Sequence, residues 1–311
     1  MHQLPIKRYL LESGTRLKSG LHYELKVTPE KVLCTRMTGL LFETDKTFLL
    51  PGAIPNIRAC VETFKKYSGG QILIVGHADA VGKNKYNRDL SVQRACMVEA
   101  YLRDDAHTWL NNYKPSDIGD VWGTREDQMM LQSLGQNGYS FYPGIIDGKK
   151  RPEFKEAIIK FQESKQITPN GVLDDDSRLV LIKEYMDEDE TTISKATVTM
   201  VHGCGEEHPI IKTADEQENA KNRRVELLFF QHAIDPEPKQ CTIPGGCEEY
   251  EHWINQVTET IDLSNEAADI IEDFTIKHRK LSRPRREEHV ITMKNGQRSA
   301  MVTFLHLPDK K

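Results

Sequence analysis

The sequence predicts an α+β protein: an α/β sandwich of order βαβαββ, interrupted by a three-helix all-α domain and followed by a small unit with a helix and a β-hairpin. Three observations carry that expectation. Between Leu40 and Leu102 the apolar residues twice pass from a short continuous run to helical spacing. A β pattern resumes only at 197–201 and 225–230. Between the two lies a block of three helical patterns separated by Asp147-Gly148 and Asn170-Gly171 turns. At 311 residues the chain has room for two or three domains.

Taken in order, Leu21, Tyr23, Leu25 and Val27 alternate with polar residues, the period of a half-buried strand, and a second strand over 31–37 is expected to pair with it across Pro29. Leu40, Leu41 and Phe42 read as a further short strand. Ile54, Ile57, Val61 and Phe64 then recur at helical spacing, with Pro51 and Pro55 where a helix start tolerates them. After Gly69-Gly70, 71–75 is an apolar strand running into Gly76-His77-Ala78-Asp79. Ser91 is expected to cap a helix whose apolar face is Val92, Ala95, Val98 and Leu102.

The inserted block is expected to hold helices near 125–136, 153–165 and 175–186 and a core of its own, with few contacts crossing to its host. Beyond Phe230 come a Pro- and Gly-rich linker over 235–246, a helix carrying Trp253, Ile254, Val257 and Ile261, and a hairpin over 289–307 turned at Asn295-Gly296. The expected division is an N-terminal β segment at 1–35, a discontinuous sandwich domain at 36–103 and 194–232, a helical module at 121–187, and a C-terminal extension at 233–311 that packs with the N-terminal strands. No internal repeat is evident.

Hydrophobic residues at 38% and charged residues at 29% describe an ordinary globular chain. A net charge of −5 argues against nucleic acid as a partner, because phosphate binding needs a basic face. The basic group Arg283, Arg285, Arg286 is answered at once by Glu287 and Glu288. Residues 1–20 carry Lys7, Arg8, Glu12, Arg16 and Lys18, and Leu10-Leu11 is their longest apolar run. A signal peptide needs about 7–15 apolar residues and a membrane helix about 20, so neither is expected. The cysteines, Cys34, Cys60, Cys96, Cys204, Cys241 and Cys247, are too sparse for a disulfide-built scaffold. Cys60 and Cys96 read as core residues, while Cys241 and Cys247 bracket a tight loop that a disulfide would close. A zinc site joining these two to His202 and Cys204 lacks a Cys-x-x-Cys pair, so no metal and no cofactor is expected.

The stretch Gly76-His77-Ala78-Asp79-Ala80-Val81-Gly82, followed by Asn87-Arg88-Asp89-Leu90-Ser91-Val92-Gln93-Arg94-Ala95, resembles the signature of OmpA-like (OmpA C-terminal, MotB-like) peptidoglycan-binding domains. Leu41-Phe42 and Leu50 upstream, and Gly203, Gly205-Glu206, Pro209 and 222–226 downstream, extend the match over 36–103 and 194–232. The resemblance implies a non-catalytic peptidoglycan binder in which Asp79 and Arg94 clamp the amino and carboxylate groups on one carbon of meso-diaminopimelate in the stem peptide. The residues themselves agree. Arg94 is expected in the first turn of its helix, where free N–H groups and a guanidinium converge on a carboxylate, and Asp79 offers the charge for an ammonium. The plainer alternative is that Asp79 caps a turn and Arg94 pairs with a surface carboxylate such as Asp89. Asn87 reads as a loop organiser or supporting contact, and Arg223 completes the ligand-binding set. Ala78 stands where the family usually has Thr, which removes a hydroxyl near the ligand.

The inserted block resembles the three-helix peptidoglycan-binding module often appended to wall hydrolases, through 128–134, Asp147-Gly148, 157–162 and 170–173. Ser177 stands near the expected Thr, and Lys149-Lys150 departs from the usual Gly-x-Thr. Phe154, Ile158 and Phe161 are core by spacing, and no ligand residue is assigned in this block. No metalloprotease, nucleophile-elbow or Cys/His signature is present, so no enzyme is expected. The alternative is a wall hydrolase or other toxin activity in the C-terminal unit, which holds His278, His289 and His306. The whole arrangement resembles proteins of bacterial type VI secretion. That likeness implies a chain that is cytoplasmic before export and reaches the periplasm or cell wall without a visible signal peptide, with a spike or effector protein as a partner beside peptidoglycan.

Overall fold

The computed structural model describes residues 32–38, 41–65, 70–136, 139–187, 192–238 and 247–264, and the backbone of two strand pairs outside them. Those pairs are β1 (Tyr9–Leu10) with β2 (Thr28–Pro29) and, at the other end of the chain, a hairpin given below. The expected strand at 21–27, the Asn295-Gly296 turn and Cys241 lie outside the described residues.

β3 (Val32–Thr38), α1 (Ile54–Phe64), β4 (Gln71–His77) and α2 (Asn84–Leu102) lead into α3 (Ala106–Leu110). The helical module follows as α4 (Thr124–Ser133), the small hairpin β5 (Gly135–Gln136) and β6 (Tyr139–Ser140), α5 (Pro152–Ser164) and α6 (Asp175–Asp187). The chain returns through β7 (Val198–Gly203) and β8 (Arg224–Phe230), then α7 (Glu248–Gln256) and β9 (Val257–Ser264), and β10 (Arg286–Thr292) pairs with β11 (Arg298–Leu305). The protein is α+β, with β3, α1, β4, α2, β7 and β8 giving the expected βαβαββ order.

One mixed sheet, ordered β7-β4-β8-β3-β9, organises the molecule. β4 runs parallel to β7, β9 parallel to β3, and β8 is antiparallel to both its neighbours. Side chains alternate across it. Leu33, Met37, Ile72, Ile74, Val225, Leu227 and Phe229 face the core shared with α1 and α2. Val32, Cys34, Leu73, Val75, Leu228 and Phe230 face the other way, where Tyr250 and Trp253 of α7 cover them. Burial on both faces is why β4 and β8 read as near-continuous apolar runs.

Two expectations give way here. Leu41 and Phe42 lie in a turn, not a strand, although both are buried; the first strand of the sandwich is β3. A short apolar run marks burial before it marks conformation. Val257 and Ile261 belong to β9, not to the helix with Trp253 and Ile254, because the β-branched run Val257, Thr258, Thr260, Ile261 finds a partner along β3.

Between the sheet and α7 sits a buried charge network. Glu226 is fully buried and accepts from Arg36 Nε at 2.7 Å, Arg224 Nε at 3.0 Å and the Tyr250 hydroxyl at 2.7 Å, with His77 Nε2 3.4 Å away. Burial pushes the Glu226 carboxyl up, but His77, Arg224 and Arg36 outweigh it and hold it well below the usual range. Removing one partner from such a network leaves an uncompensated buried charge, a loss of about 3–5 kcal/mol.

The module repeats one device. Gln128 Oε1 of α4 accepts from the N–H groups of Asp147 and Gly148 at 3.0 and 2.8 Å, and its Nε2 donates to Lys149 O at 3.0 Å. Gln162 Oε1 of α5 accepts from Gly171 N–H at 2.9 Å, and its Nε2 donates to Val172 O at 2.9 Å. Each buried amide thus clamps a turn whose glycine has φ near +70°, a conformation that favours glycine.

The expectation of two separate cores is overturned. Tyr185 of α6 lies against Phe48, Trp109 and Tyr101 of the host, with ring centroids at 6.0, 5.8 and 6.4 Å, and its hydroxyl donates to Leu49 O at 3.3 Å. Trp122, leading into α4, packs edge-on to Trp109 at 5.2 Å and Phe48 at 5.0 Å, and its Nε1 donates to Thr47 Oγ1 at 3.0 Å. One apolar cluster runs through both parts.

Candidate functional site

The signature residues gather where β4 and β7 end beneath α2. Gly76 and Gly203 set that spacing. A Cβ on Gly76 would fall 2.0 Å from the Ser91 carbonyl oxygen, and one on Gly203 would fall 2.5 Å from Ser91 Oγ and from Val92. Neither strand could carry a side chain there with α2 so close.

Ser91 is not an N-cap. α2 begins at Asn84, and Ser91 lies inside it, donating to Arg88 O at 2.7 Å and accepting from Gly205 N–H at 2.9 Å. Its hydroxyl ties the helix to the turn after β7. Arg94 is therefore in the middle of α2, and the expected convergence of free N–H groups at a helix start does not exist around it. Burial of Asn87, Arg88 and Leu90 carries the helix upstream past the serine, since tertiary contacts override a cap preference of about 1 kcal/mol.

The four expected site residues come from two stretches distant in sequence, 79–94 and the turn before β8. Asp79, just past β4, accepts on Oδ2 from Arg223 Nη1 at 2.5 Å and from Asn219 N–H at 3.1 Å. Asn87, in the first turns of α2, donates to Asp79 O at 3.3 Å and to Glu206 Oε2 at 2.5 Å. Arg94 is 1% exposed, with Nε donating to Lys46 O at 3.0 Å, Nη2 to Glu43 O at 3.2 Å, and its guanidinium 5.3 Å from the Phe42 ring. Asn87 and Arg223 each contact Asp79. Arg94 joins them electrostatically: burial and the Arg223 charge push its guanidinium down to about 10, Asp79 opposes the shift, and it stays charged at neutral pH.

Two donors stand out. Arg94 Nη1 and Arg223 Nε are buried with no hydrogen-bond partner among the described residues. An unmet buried donor costs about 1–3 kcal/mol, more for a charged group, so two unmet guanidinium donors, one paired with Asp79 and the other coupled to it electrostatically, suit an anionic group. Asp79 and Arg223 are buried, at 7% and 8% exposed, and Arg94 more deeply so.

Several supporting residues had no signal in the sequence. Tyr86 donates its hydroxyl to Asp45 and accepts from Gly119 N–H at 3.0 Å, closing the 41–50 loop over α2. Asn222, which the signature does include, locks the return loop through two bonds with the Ile211 backbone, at 3.0 and 2.8 Å. Arg125 of α4 donates Nε to Glu43 Oε2 at 3.1 Å, so the helical module grips the loop whose carbonyls hold Arg94. The module also carries an open cleft of about 350 Å³ between β6 and α5, lined by Tyr139, Phe141, Lys160 and Glu163, with Tyr139 80% exposed.

Residues 41–118 match the model of the OmpA family, and residues 124–178 match that of a putative peptidoglycan binding domain. The chain carries an OmpA-family domain followed by a peptidoglycan-binding domain. Both are binding domains, and together they support peptidoglycan binding and association with the cell wall. The first match ends at residue 118, so β7 and β8, which complete the sheet under the OmpA-family helices, lie beyond both matches. Over 80 residues the sequence is 29% identical to Photosystem I P700 chlorophyll a apoprotein A2 of Gloeobacter violaceus, a stretch covering 26% of this chain and 9% of that protein. With so small a share spanned, that relative carries no argument about activity. Among the described residues no helix is long and apolar enough to cross a membrane.

Proposed function

We propose that this chain holds peptidoglycan without cleaving it, through the zwitterionic end of meso-diaminopimelate in the stem peptide. The observation that carries the reading is the buried Nη1 of Arg94, without a hydrogen-bond partner among the described residues, on a guanidinium coupled electrostatically to the Asp79–Arg223 pair. Arg94 Nη1 and Arg223 Nε donate to the ligand carboxylate, and Asp79 accepts from its ammonium through Oδ1, since Asn219 N–H and Arg223 Nη1 are bonded to Oδ2. Asn87 supports the site by fixing the Asp79 backbone and Glu206. The helical module gives a second wall contact, and Ala78 leaves the ligand one hydroxyl short of the usual OmpA-like set.

The same reading gives the protein its place: a wall-bound element of the periplasm that anchors or targets a secretion component or its cargo. The resemblance of the domain arrangement favours a type VI spike or effector protein as partner, with the chain cytoplasmic before export.

Incubation with intact sacculi tests binding against cleavage in one tube. The protein is expected to co-sediment, with no release of reducing sugars or free amines above a buffer control. Hydrolysis needs an activated water or nucleophile in fixed geometry, and Asp79 with two arginines supplies neither. Release that persists in an Asp79→Ala, Arg94→Ala double variant would replace this reading with a catalytic one located elsewhere in the chain.

A further inference from the structure

His202, Cys204 and Cys247 meet beneath α7, on the sheet face opposite the OmpA-family helices. Their ligand atoms all lie within 4.8 Å of one another, and the three residues are 3%, 0% and 2% exposed. His202 stands in β7, Cys204 directly follows that strand, and Cys247 is the residue before α7. The structure joins Cys204 to Cys247 as a disulfide with Cα atoms 5.5 Å apart. This is a correction to the Cys241–Cys247 pairing that the loop spacing suggests.

His202 Nε2 sits 3.3 Å from Cys247 Sγ, and its ring is held edge-on to Trp253 at 5.0 Å. We propose that in its dithiol form this cluster is a metal site for a thiophilic divalent cation of the zinc class, with Cys204 and Cys247 as thiolates, His202 as a neutral imidazole and a solvent molecule in the fourth position. Zn–S bonds of about 2.3 Å and a Zn–N bond of about 2.0 Å at tetrahedral angles place nitrogen and sulfur about 3.5 Å apart and the two sulfurs about 3.8 Å apart. The present His202–Cys247 distance of 3.3 Å is within a few tenths of an ångström of the first, and side-chain rotation from Cα atoms 5.5 Å apart brings the sulfurs to the second. Reduction of the disulfide by an external dithiol or phosphine yields two thiols; the cation then displaces their two protons, which pass to solvent.

The site rests on none of the peptidoglycan-binding residues, so it stands or falls apart from the proposed function. The test compares the intact chain oxidised and reduced with a phosphine, titrated with zinc against a chromophoric chelator and with cobalt(II) as a spectroscopic probe. About one equivalent is expected to bind to the reduced chain and none at this site when oxidised. Cobalt is expected to show tetrahedral d–d bands and thiolate-to-metal charge transfer. Cys204→Ser and Cys247→Ser should each lower zinc affinity at least about tenfold, and His202→Ala should shift the d–d bands. The cobalt spectrum of the unsubstituted protein makes the test independent of whether a variant folds. Reduced protein that takes up no metal, a cobalt spectrum without thiolate charge transfer, or uptake unchanged in the Cys204→Ser, Cys247→Ser double variant would each overturn the proposal.

Discussion

Replacing Tyr185 with alanine separates a shared core from two independent ones. The side chain is 2% exposed in α6, yet its neighbours Phe48, Trp109 and Tyr101 belong to the OmpA-family part. Truncating a buried aromatic to alanine costs about 3–5 kcal/mol, and the lost hydroxyl bond to Leu49 O adds about 1 kcal/mol. A loss of about 4–6 kcal/mol corresponds to a fall in Tm of about 8–24 °C for a domain of this scale. The assay is calorimetry beside tryptophan fluorescence, which reads Trp109 and Trp122 inside the shared cluster. One transition, lowered as a whole, is expected. The same reasoning predicts that deleting 121–186 strips Trp122 and Tyr185 from the host and leaves it aggregation-prone. A melt in which one transition falls while another stays at its original temperature, or a deletion that unfolds cooperatively at the parent temperature, would refute the shared core.

Two further outcomes follow from the sheet. Burial and the Arg224 charge lower His77 from 6.5 to about 4, so the unfolded chain binds a proton below pH 6.5 that the folded chain refuses until about pH 4. Stability is therefore present above pH 6.5 and lost as pH falls toward 4, by up to about 3 kcal/mol; a His77→Gln variant measured by urea unfolding should lack that part of the slope, and an unchanged slope would contradict it. Gly76→Ala, whose Cβ would meet the Ser91 carbonyl at 2.0 Å, should lift α2 from β4 and cost at least about 2–3 kcal/mol, and a neutral effect in chemical denaturation would show that the helix can retreat.

How much of this was legible in the sequence depended on what each signal measures. The module's helices lie close to where the apolar spacing and Asp147-Gly148 and Asn170-Gly171 put them, because periodicity and turn chemistry agree there. Ser91 and Leu41-Phe42 were misread for one reason: residue preference is weaker than the tertiary contacts that bury them. The inserted block read as self-contained because nothing in a linear pattern says that Tyr185 and Trp122 face a neighbour. At the site, the ordered signature marked Asp79, Asn87, Arg94 and Arg223, but the contacts that hold them were not readable. The Asp79–Arg223 pair spans two distant segments, and the loop that holds Arg94 is fastened by Tyr86, Asp45 and Arg125, which belong to no motif.

The central claim, that the two arginines and Asp79 form a seat for a group bearing one ammonium and one carboxylate, is tested most directly by calorimetric titration of soluble muropeptides. Arg94 also holds the 43–46 loop, so Asp79→Asn, which keeps the side-chain shape, is the cleaner probe and Arg94→Ala the supporting one. A charge-assisted hydrogen bond contributes about 1.5–3 kcal/mol, so each variant should lose about tenfold or more in affinity. A lysine-type muropeptide, which lacks the carboxylate, should bind more weakly than the diaminopimelate form by a similar factor. Equal affinity for the two muropeptides, or unchanged affinity in both variants, would contradict the account.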